Sequence, residues 1–362
     1  MSLSLVTEHL VSDYDYPLRA AAIAQRPLPD RDASRLLVIE GTALSDHHFL
    51  ELPDLLRPGD LLVANDTRVR LARLRGRRPG GGAAELLVLG HLGDNRYACL
   101  TRPARRLHEG TVVEIDADLS ARVEGPAPGH PGARVVLFET ASDPSDAIQR
   151  AGSVPLPPYI RAPLRDPDRY QTVFAAGPPA SAAAPTAGLH FTERLLEQVR
   201  ERGIRWATIR LEVGLGTFAP MTSARVEDHL MHEEHFCVPE ATARQIAETR
   251  ERRGRVVAVG STAVRALETA ASRDGSVRAG DAETRLFIRP GHRFRVVDGV
   301  LTNFHQPRSS LLVMVAALIG PAWRDAYAHA LGGGYRFLSF GDCMLAWRAG
   351  ARSGPEGREP LP

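Results

Sequence analysis

The segment from Ala184 to Thr192, A-P-T-A-G-L-H-F-T, brings an imidazole, His190, to the start of a helix. Thr192 is a good N-cap residue, and apolar residues repeat after it at helical spacing until Gly203. The first backbone N–H groups of a helix are unpaired and its N-terminal end is positive, so this place suits an anion or a polar substrate. The alternative is a Pro-Gly turn whose histidine bonds only to the backbone.

A second candidate site is the turn Gly260-Ser261-Thr262, which follows the short apolar strand 255–259 and opens an alanine-rich helix. Ligands of open α/β sheets bind at the carboxyl ends of strands, and a glycine there allows close backbone approach. Arg265 lies one helical turn after Thr262, on roughly the same face. We expect this cluster to suit a carboxylate; the alternative is an ordinary helix cap with a surface arginine. The turn is not a Walker loop, because it lacks Gly-Lys-Ser/Thr.

A dense polar cluster runs from Asp228 to His235 and contains His229, His232 and Glu234. The H-x-x-H-x-x-H spacing suggests zinc, but histidines at successive steps of three drift around a helix and do not converge. The metalloprotease pattern H-E-x-x-H is not present either. We therefore expect no metal ion here, and a solvated polar face remains an alternative to a functional site.

Arginines cluster between residues 68 and 106. On a strand, alternate arginines at 73, 75 and 77 would point to one face, and such a row could follow a phosphate backbone. The candidates for contact with nucleic acid are Arg68, Arg73, Arg75, Arg102 and Arg105. A solubilising surface explains the same residues equally well, and nothing in the chain resembles an RNP or KH motif.

The composition is that of a globular chain of 362 residues with 43% hydrophobic residues, which excludes disorder by composition. A net charge of +2 excludes a globally basic surface, so any RNA binding must use local patches. Three distant cysteines form no metal spacing and favour a reducing compartment. We see no signal peptide, and the longest apolar run, 311–319, is about half of a membrane span. We therefore expect a cytoplasmic protein that does not bind membranes.

The elements that must position these residues alternate between strands and helices in the second half of the chain, which predicts an α/β domain with a parallel or mixed sheet. Strands are expected at 204–213, 255–259 and 294–301, helices at 239–253 and 262–272, and Ser309 as the cap of a further helix. Between residues 61 and 151, short β-rich runs separated by Gly and Pro predict a small inserted antiparallel β-barrel. The α/β domain then comprises residues 1–60 and 152–347, and residues 348–362 form a disordered tail.

Blocks in a fixed order cover nearly the whole chain, from about Asp13 to Trp347, and resemble the S-adenosylmethionine:tRNA ribosyltransferase-isomerase family of queuosine biosynthesis. The blocks are R-D-A-S-R-L-L-V from residue 31, N-D-T-R-V from 65, V-P-L-P-P-Y-I from 154, Y-Q-T-V-F-A from 170, the 184–192 segment, G-S-T-A-V-R-A-L-E from 260, T-N-F-H from 302 and Y-R-F-L-S-F-G-D-C-M-L from 335. The resemblance independently implies an α/β domain with an inserted barrel.

The resemblance implies that the ribosyl part of S-adenosylmethionine is joined to 7-aminomethyl-7-deazaguanine at the tRNA wobble position, giving epoxyqueuosine, adenine and methionine. No metal or redox cofactor is implied, and we expect a monomer. The residues expected to carry proton transfer are His190, Glu212, His229, His232 and Glu234. Those expected to hold S-adenosylmethionine are Ser261, Thr262, Arg265, Asn303, His305 and Asp342.

One departure from the family pattern bears on the acceptor. The family's usual L-H-V-G-x-G-T-F reads L-E-V-G-L-G-T-F here, so Glu212 stands where the family has histidine. A carboxylate there changes the charge and pKa of any group that handles a proton. Glu212 and the near-neutral charge favour one alternative, a paralogue that uses a free deazapurine or another small amine. A second alternative is a non-catalytic tRNA-binding protein.

Overall fold

A mixed nine-stranded sheet forms the centre of the larger part of the protein, and a closed antiparallel barrel forms the smaller part. The structure, a computed structural model, describes residues 9–130, 132–214, 220–348 and 350. The predicted α/β fold with an inserted barrel is confirmed.

The described strands are numbered in chain order. They are β1 Arg35–Glu40, β2 Ala43–His48, β3 Leu61–Asn65, β4 Arg68–Val69, β5 Arg73–Arg77, β6 Ala83–Gly93, β7 Arg96–Arg102, β8 Val112–Glu114, β9 Leu119–Pro126, β10 Arg134–Thr140, β11 Pro179–Ser181, β12 Arg205–Leu211, β13 Glu234–Val238, β14 Val256–Val259, β15 Gly280–Thr284, β16 Gly299–Asn303 and β17 Cys343–Trp347. The α-helices are α1 Leu52–Leu55, α2 Pro144–Ala151, α3 Glu193–Glu201, α4 Glu240–Glu251, α5 Ser261–Ala270, α6 Ser310–Ile319 and α7 Trp323–Gly332.

The sheet has the strand order β15-β13-β12-β3-β14-β16-β17-β1-β2. Strands β12, β3, β14 and β16 run parallel to one another, so their carboxyl ends meet at one edge. Strand β17 runs antiparallel to β16 and parallel to β1, so β17 and β1 begin at that same edge. Every residue of β3, β14 and β16 is buried, as expected for central strands covered on both faces.

Helices cover both faces of the sheet because alternate side chains of each strand point in opposite directions. On one face, α5, α6 and α7 pack on residues such as Val63, Ala258 and Met344. On the other face, α1 and α3 pack on the intervening residues, such as Leu62 and Val257. As predicted, the side chain of Thr192 accepts a hydrogen bond from a backbone N–H of α3, and that of Ser309 does so for α6.

The barrel consists of β5 to β10, with α2 packed against it. The strand Leu61–Asn65 does not belong to it, although we expected the insert to begin at residue 61. Its five residues are all buried and it pairs with β12 and β14, so this domain boundary is wrong. The chain enters the barrel near Arg73 and leaves it near Ser153.

Two other expectations need correction. Residues 294–298 do not extend β16, because the carboxylate of Glu268 accepts the backbone N–H groups of Arg295, Val296 and Val297. Arg348, which we expected in a disordered tail at 348–362, is held in the fold, because it donates hydrogen bonds to Asp298 and to the carbonyl of Phe294. Apart from Gly350, the rest of the expected tail lies outside the described residues.

The stretch Ser310–Gly332, which contains α6 and α7, is long and apolar enough by composition to cross a membrane. Core helices of soluble proteins meet the same criterion, and 67% of its most apolar window is buried inside this protein. Its apolar side chains pack on the sheet, so burial in the core accounts for its hydrophobicity.

A buried ion pair joins two strands at the sheet edge opposite the carboxyl ends of β3 and β14. The Arg255 guanidinium donates to the Asp60 carboxylate, with 2.6 Å between Nη2 and Oδ2, and lies 3.8 Å from the ring centroid of Trp347. Asp60 Oδ1 also accepts the backbone N–H of Arg255. The pair therefore joins the starts of β3 and β14.

We predict that Asp60→Ala lowers the free energy of unfolding by about 3–5 kcal/mol, because it leaves the charge of Arg255 buried and uncompensated. The matched control is Asp54→Ala, which removes an exposed pair with Arg202 and should cost less than about 1 kcal/mol. Urea unfolding of both variants measures the difference. Equal losses would contradict the argument from burial.

Candidate active site

A cleft enclosing about 590 Å³ lies at the sheet edge where β14 and β16 end. Four loops of the α/β domain line it, residues 184–187, 260–262, 302–306 and 338–339, together with Tyr159 from the segment that returns from the barrel.

The turn after β14 presents unpaired polar groups to this cleft. Gly260 has a φ of 87°, a conformation that other residues rarely adopt, and it ends β14 directly before α5. No side chain caps the N-terminus of α5. The Thr262 hydroxyl is buried and has no hydrogen-bond partner among the described residues. A buried polar atom without a partner is costly, so this hydroxyl indicates that a ligand completes the site.

A chain of hydrogen bonds fixes His190 behind the cleft. Its Nδ1 lies 2.8 Å from Ser34 Oγ, and its Nε2 lies 3.2 Å from Asn303 Nδ2. Since Ser34 donates its own proton to the carbonyl of Arg31 and an amide nitrogen can only donate, His190 must carry its proton on Nδ1. Asn303 Oδ1 in turn accepts from Thr186 Oγ1 at 2.9 Å.

Two buried histidines stay neutral at this edge. Burial, with smaller contributions from the charges of Arg336 and Arg31, lowers the pKa of His190 to about 3. Burial also lowers the pKa of His305 to about 3. The His305 ring lies 3.0 Å from Thr302 Oγ1, and Tyr327 accepts its backbone N–H. Neither imidazole is therefore available as an acid near neutral pH.

Sequence reasoning missed a pair of hydroxyls in the cleft wall, Tyr159 and Ser339, whose oxygens lie 2.7 Å apart. It also missed Thr186, Gln306 and Ser309, which line the cleft. Both members of the hydroxyl pair lie inside blocks that carry the family resemblance. That position was the available signal, because neither residue stands out by charge or metal-binding chemistry.

Comparisons with known proteins agree over nearly the whole chain. Residues 11–346 match the family described as "Queuosine biosynthesis protein". The chain belongs to this queuosine biosynthesis family. It is 49% identical to the S-adenosylmethionine:tRNA ribosyltransferase-isomerase of Gloeobacter violaceus, over 93% of this chain and 96% of that protein. The protein of the same name from Cupriavidus metallidurans is 45% identical, over 95% and 99%.

A solved structure supports the family fold as well. The crystal structure of S-adenosylmethionine tRNA ribosyltransferase from Thermotoga maritima is 36% identical, with a TM-score of 0.53. The match covers 92% of this chain and 100% of that one.

The cleft of this family member does not include Arg265, which we expected to hold a carboxylate. Its guanidinium is buried and donates to the carboxylate of Glu234 and to the backbone carbonyls of Leu286 and Thr284. Glu234 also accepts the backbone N–H of Gly214 at 3.0 Å. The two residues therefore position the chain just before residues 215–219, which lie outside the described residues.

Three other residues expected to move protons also lie away from the cleft lining. His229 packs against the ring of Phe287, and burial lowers its pKa, with a smaller contribution from His232. His232 and Glu212 are exposed. Glu212 is held through its backbone N–H, which donates to the carbonyl of His235.

Asp342, expected to hold S-adenosylmethionine, instead holds two backbone segments. Its carboxylate accepts the N–H groups of Arg35 at 3.0 Å and Arg336 at 2.8 Å. It thereby joins the start of β1 to the loop before β17. In contrast, the structure does bring Ser261, Thr262, Asn303 and His305 together in the cleft lining.

Two of the five arginines expected to contact nucleic acid are engaged by backbone carbonyls. Arg68 donates to the carbonyls of Ala175 and Gly177, and Arg73 donates to that of Leu156. Arg75 and Arg102 are exposed. Each lies opposite Glu85 on a strand next to β6. Arg105 is exposed in a short 3₁₀ turn. Within the described ranges, no group of three metal-binding side chains comes together.

We predict that the free energy of unfolding falls as the pH drops below about 6.5. In the folded state His190 and His305 stay neutral, since their pKa values are about 3, whereas the unfolded chain binds protons there. Each histidine contributes up to ~1.4 kcal/mol per pH unit between these values. His190→Gln should therefore flatten the decline in urea unfolding measured between pH 7 and pH 5.

The control for this measurement is His108→Gln, because His108 is an exposed histidine of the barrel. That variant should retain the decline of the wild type. A His190→Gln variant with an undiminished pH dependence would show that His190 is protonated in the folded protein.

Proposed function

We propose that this enzyme transfers and isomerises the ribosyl group of S-adenosylmethionine onto 7-aminomethyl-7-deazaguanine at the wobble position of tRNA. The observation that carries the proposal is the unsatisfied Thr262 hydroxyl beside the uncapped N-terminus of α5. It lies in the main cleft of a chain that is 45–49% identical to proteins named for this reaction. We place the reaction in the cytoplasm and assign it to a monomer.

The N-terminus of α5 provides a binding place for the methionine carboxylate of S-adenosylmethionine. The first backbone N–H groups of the helix are free to donate, and the positive end of the helix favours an anion. Ser261 and Thr262 both line the cleft there, and their hydroxyls add further donors. Arg265 supports this binding only indirectly, through its contacts with Glu234 and two carbonyls.

The remaining polar groups of the cleft define what the nucleoside part can bond to. The Thr186 hydroxyl donates its hydrogen bond to Asn303 Oδ1, so its oxygen can accept a hydrogen bond from a ligand. Tyr159 and Ser339 share one hydrogen bond, which leaves one hydroxyl proton for a ligand. Asn303 is saturated at nitrogen by His190 and Leu338 and serves to orient Thr186.

The reaction needs a base, a proton for adenine and a neutral amine. A proton leaves the carbon beside the sulfonium, the bond to adenine breaks, and the aminomethyl nitrogen forms a bond to the sugar. Cleavage of the carbon–sulfur bond then releases methionine, and the overall sum releases one proton. Positioning the sulfonium against the RNA base supplies much of the lowering of the barrier.

We propose that the polar segment 228–235, which lies outside the cleft lining in the free protein, approaches the bound substrate and removes the proton, because both ring nitrogens of His190 are already hydrogen-bonded. The lowered pKa of His229 keeps its imidazole neutral near pH 7 and thus able to accept a proton. His232 and Glu212 are exposed groups that can relay protons to solvent. His190 has a fixed tautomer and orients Asn303.

We predict that Thr262→Val weakens S-adenosylmethionine binding roughly ten-fold, because a hydrogen bond to a charged ligand is lost. The same change should preserve or raise thermal stability, since the described part of the chain offers the hydroxyl no partner. Calorimetry and thermal unfolding measure the two quantities.

Thr269→Val on the same helix is the matched control. The Thr269 hydroxyl lies 2.7 Å from that of Thr284, so its removal should lower stability and leave S-adenosylmethionine binding unchanged. If both variants bind S-adenosylmethionine like the wild type, the carboxylate binds elsewhere.

The reaction itself is tested by incubating the protein with S-adenosylmethionine and tRNA that bears the aminomethyl-deazaguanine. Mass spectrometry of the anticodon nucleoside should show epoxyqueuosine, with release of one adenine per modified tRNA. The control is the same tRNA with an unmodified guanine. Transfer to the free base but not to tRNA would assign a small-molecule acceptor instead.

A further inference from the structure

A second groove lies between the segment 15–22 and helix α7, and its volume of about 820 Å³ is large enough for an organic ligand of the size of a nucleotide. Its walls are mostly apolar, with Pro17, Ala21 and Ala22 on one side and Ala328 and Leu331 on the other.

Positive charge surrounds this apolar groove. Arg19 and Arg324 are exposed at its edge, and neither forms an ion pair with a carboxylate of the described chain. The acidic residue of the lining, Asp15, is already paired with Arg308. The groove therefore complements a ligand that combines an apolar ring with an anion, which is the chemistry of a nucleotide.

The groove and the cleft share one wall. Tyr16 and Tyr327 line the groove, and both hydrogen-bond to the backbone of His305, a residue that lines the cleft. Tyr16 donates to the carbonyl of His305, and Tyr327 accepts its N–H. A strand that places one nucleotide in the cleft therefore has its next nucleotide close to the groove.

We propose that this groove binds the nucleotide next to the target nucleotide of the RNA substrate, with its base against the apolar walls and its phosphate at Arg19 and Arg324. The inference rests on the proposed function, because a base that reacts in a cleft must leave the stack, and its neighbour then needs a binding place. It adds an RNA contact apart from the barrel, where Arg73 donates to the carbonyl of Leu156 and lies 3.9 Å from the carboxylate of Glu85.

The test compares two double charge reversals in the full-length protein. Arg19→Glu with Arg324→Glu changes the groove, and Arg244→Glu with Arg278→Glu changes exposed arginines elsewhere by the same net charge. The groove variant should bind acceptor-bearing tRNA at least about ten-fold more weakly. Its log–log salt slope should be smaller by about 1.4, since two phosphate contacts are lost. S-adenosylmethionine binding should match the wild type.

Ala328→Trp supplies an independent test, because it fills the groove from the exposed face of α7 without changing charge. It should lower kcat/KM for tRNA and leave the melting temperature and S-adenosylmethionine affinity unchanged. Ultraviolet crosslinking of bound tRNA should label Tyr16 or Pro17 in the wild type and lose that label in Ala328→Trp.

The outcomes separate this inference from the proposed function. If the wild type modifies tRNA while both groove variants bind tRNA like the control pair, the groove inference is overturned and the proposed function stands. Crosslinks confined to barrel residues 73–106, or a groove that captures a protein and leaves tRNA binding unaffected, overturn it as well. A wild type that neither binds nor modifies tRNA contradicts the proposed function itself.

Discussion

The shape of the cleft depends on an imidazole that must accept a hydrogen bond. His190 accepts a hydrogen bond from the Asn303 amide at Nε2 and donates one to Ser34 Oγ from Nδ1. Both ring nitrogens are therefore hydrogen-bonded. A protonated ring would donate at Nε2 and repel the amide that faces it. Burial, which holds the imidazole neutral, is therefore what keeps Asn303 and Thr186 in one orientation. Four separate parts of the chain meet through this one ring and its amide partner.

Many of the strands and helices could be predicted from the sequence because they depend on local patterns. The apolar run before Gly260 predicts a buried strand, and the caps Thr192 and Ser309 predict helix starts, all as observed. Long-range partners could not be predicted in the same way. Arg265 looks free on its helix, and only the folded chain brings Glu234, 31 residues earlier, against it. Residues 294–298 of the strand expected at 294–301 were wrong for the same reason, since the carboxylate of distant Glu268 accepts the N–H groups of residues 295–297.

All 45 basic side chains of this protein are arginines, and the chain contains no lysine. Several of these guanidinium groups hydrogen-bond to the backbone of the fold. Arg31, Arg68 and Arg169 each donate to two backbone carbonyl oxygens of distant segments, and Arg336 donates to those of distant Arg26 and nearby Phe340. The planar guanidinium can make several such bonds at once, which an ammonium group does less well. A count of positive residues therefore overstates the charge available to a nucleic acid.

The two chain crossings between the sheet domain and the barrel are hydrogen-bonded to each other. The backbones of Arg73 and Ser153 exchange both N–H···O bonds, and β4 pairs with β11 just beside them. A segment whose ends lie this close can be gained or removed without changing the register of the sheet that carries it. The barrel thus has the geometry of an evolutionary insertion. Joining residue 71 to residue 154 through a short linker would give the α/β domain without the barrel.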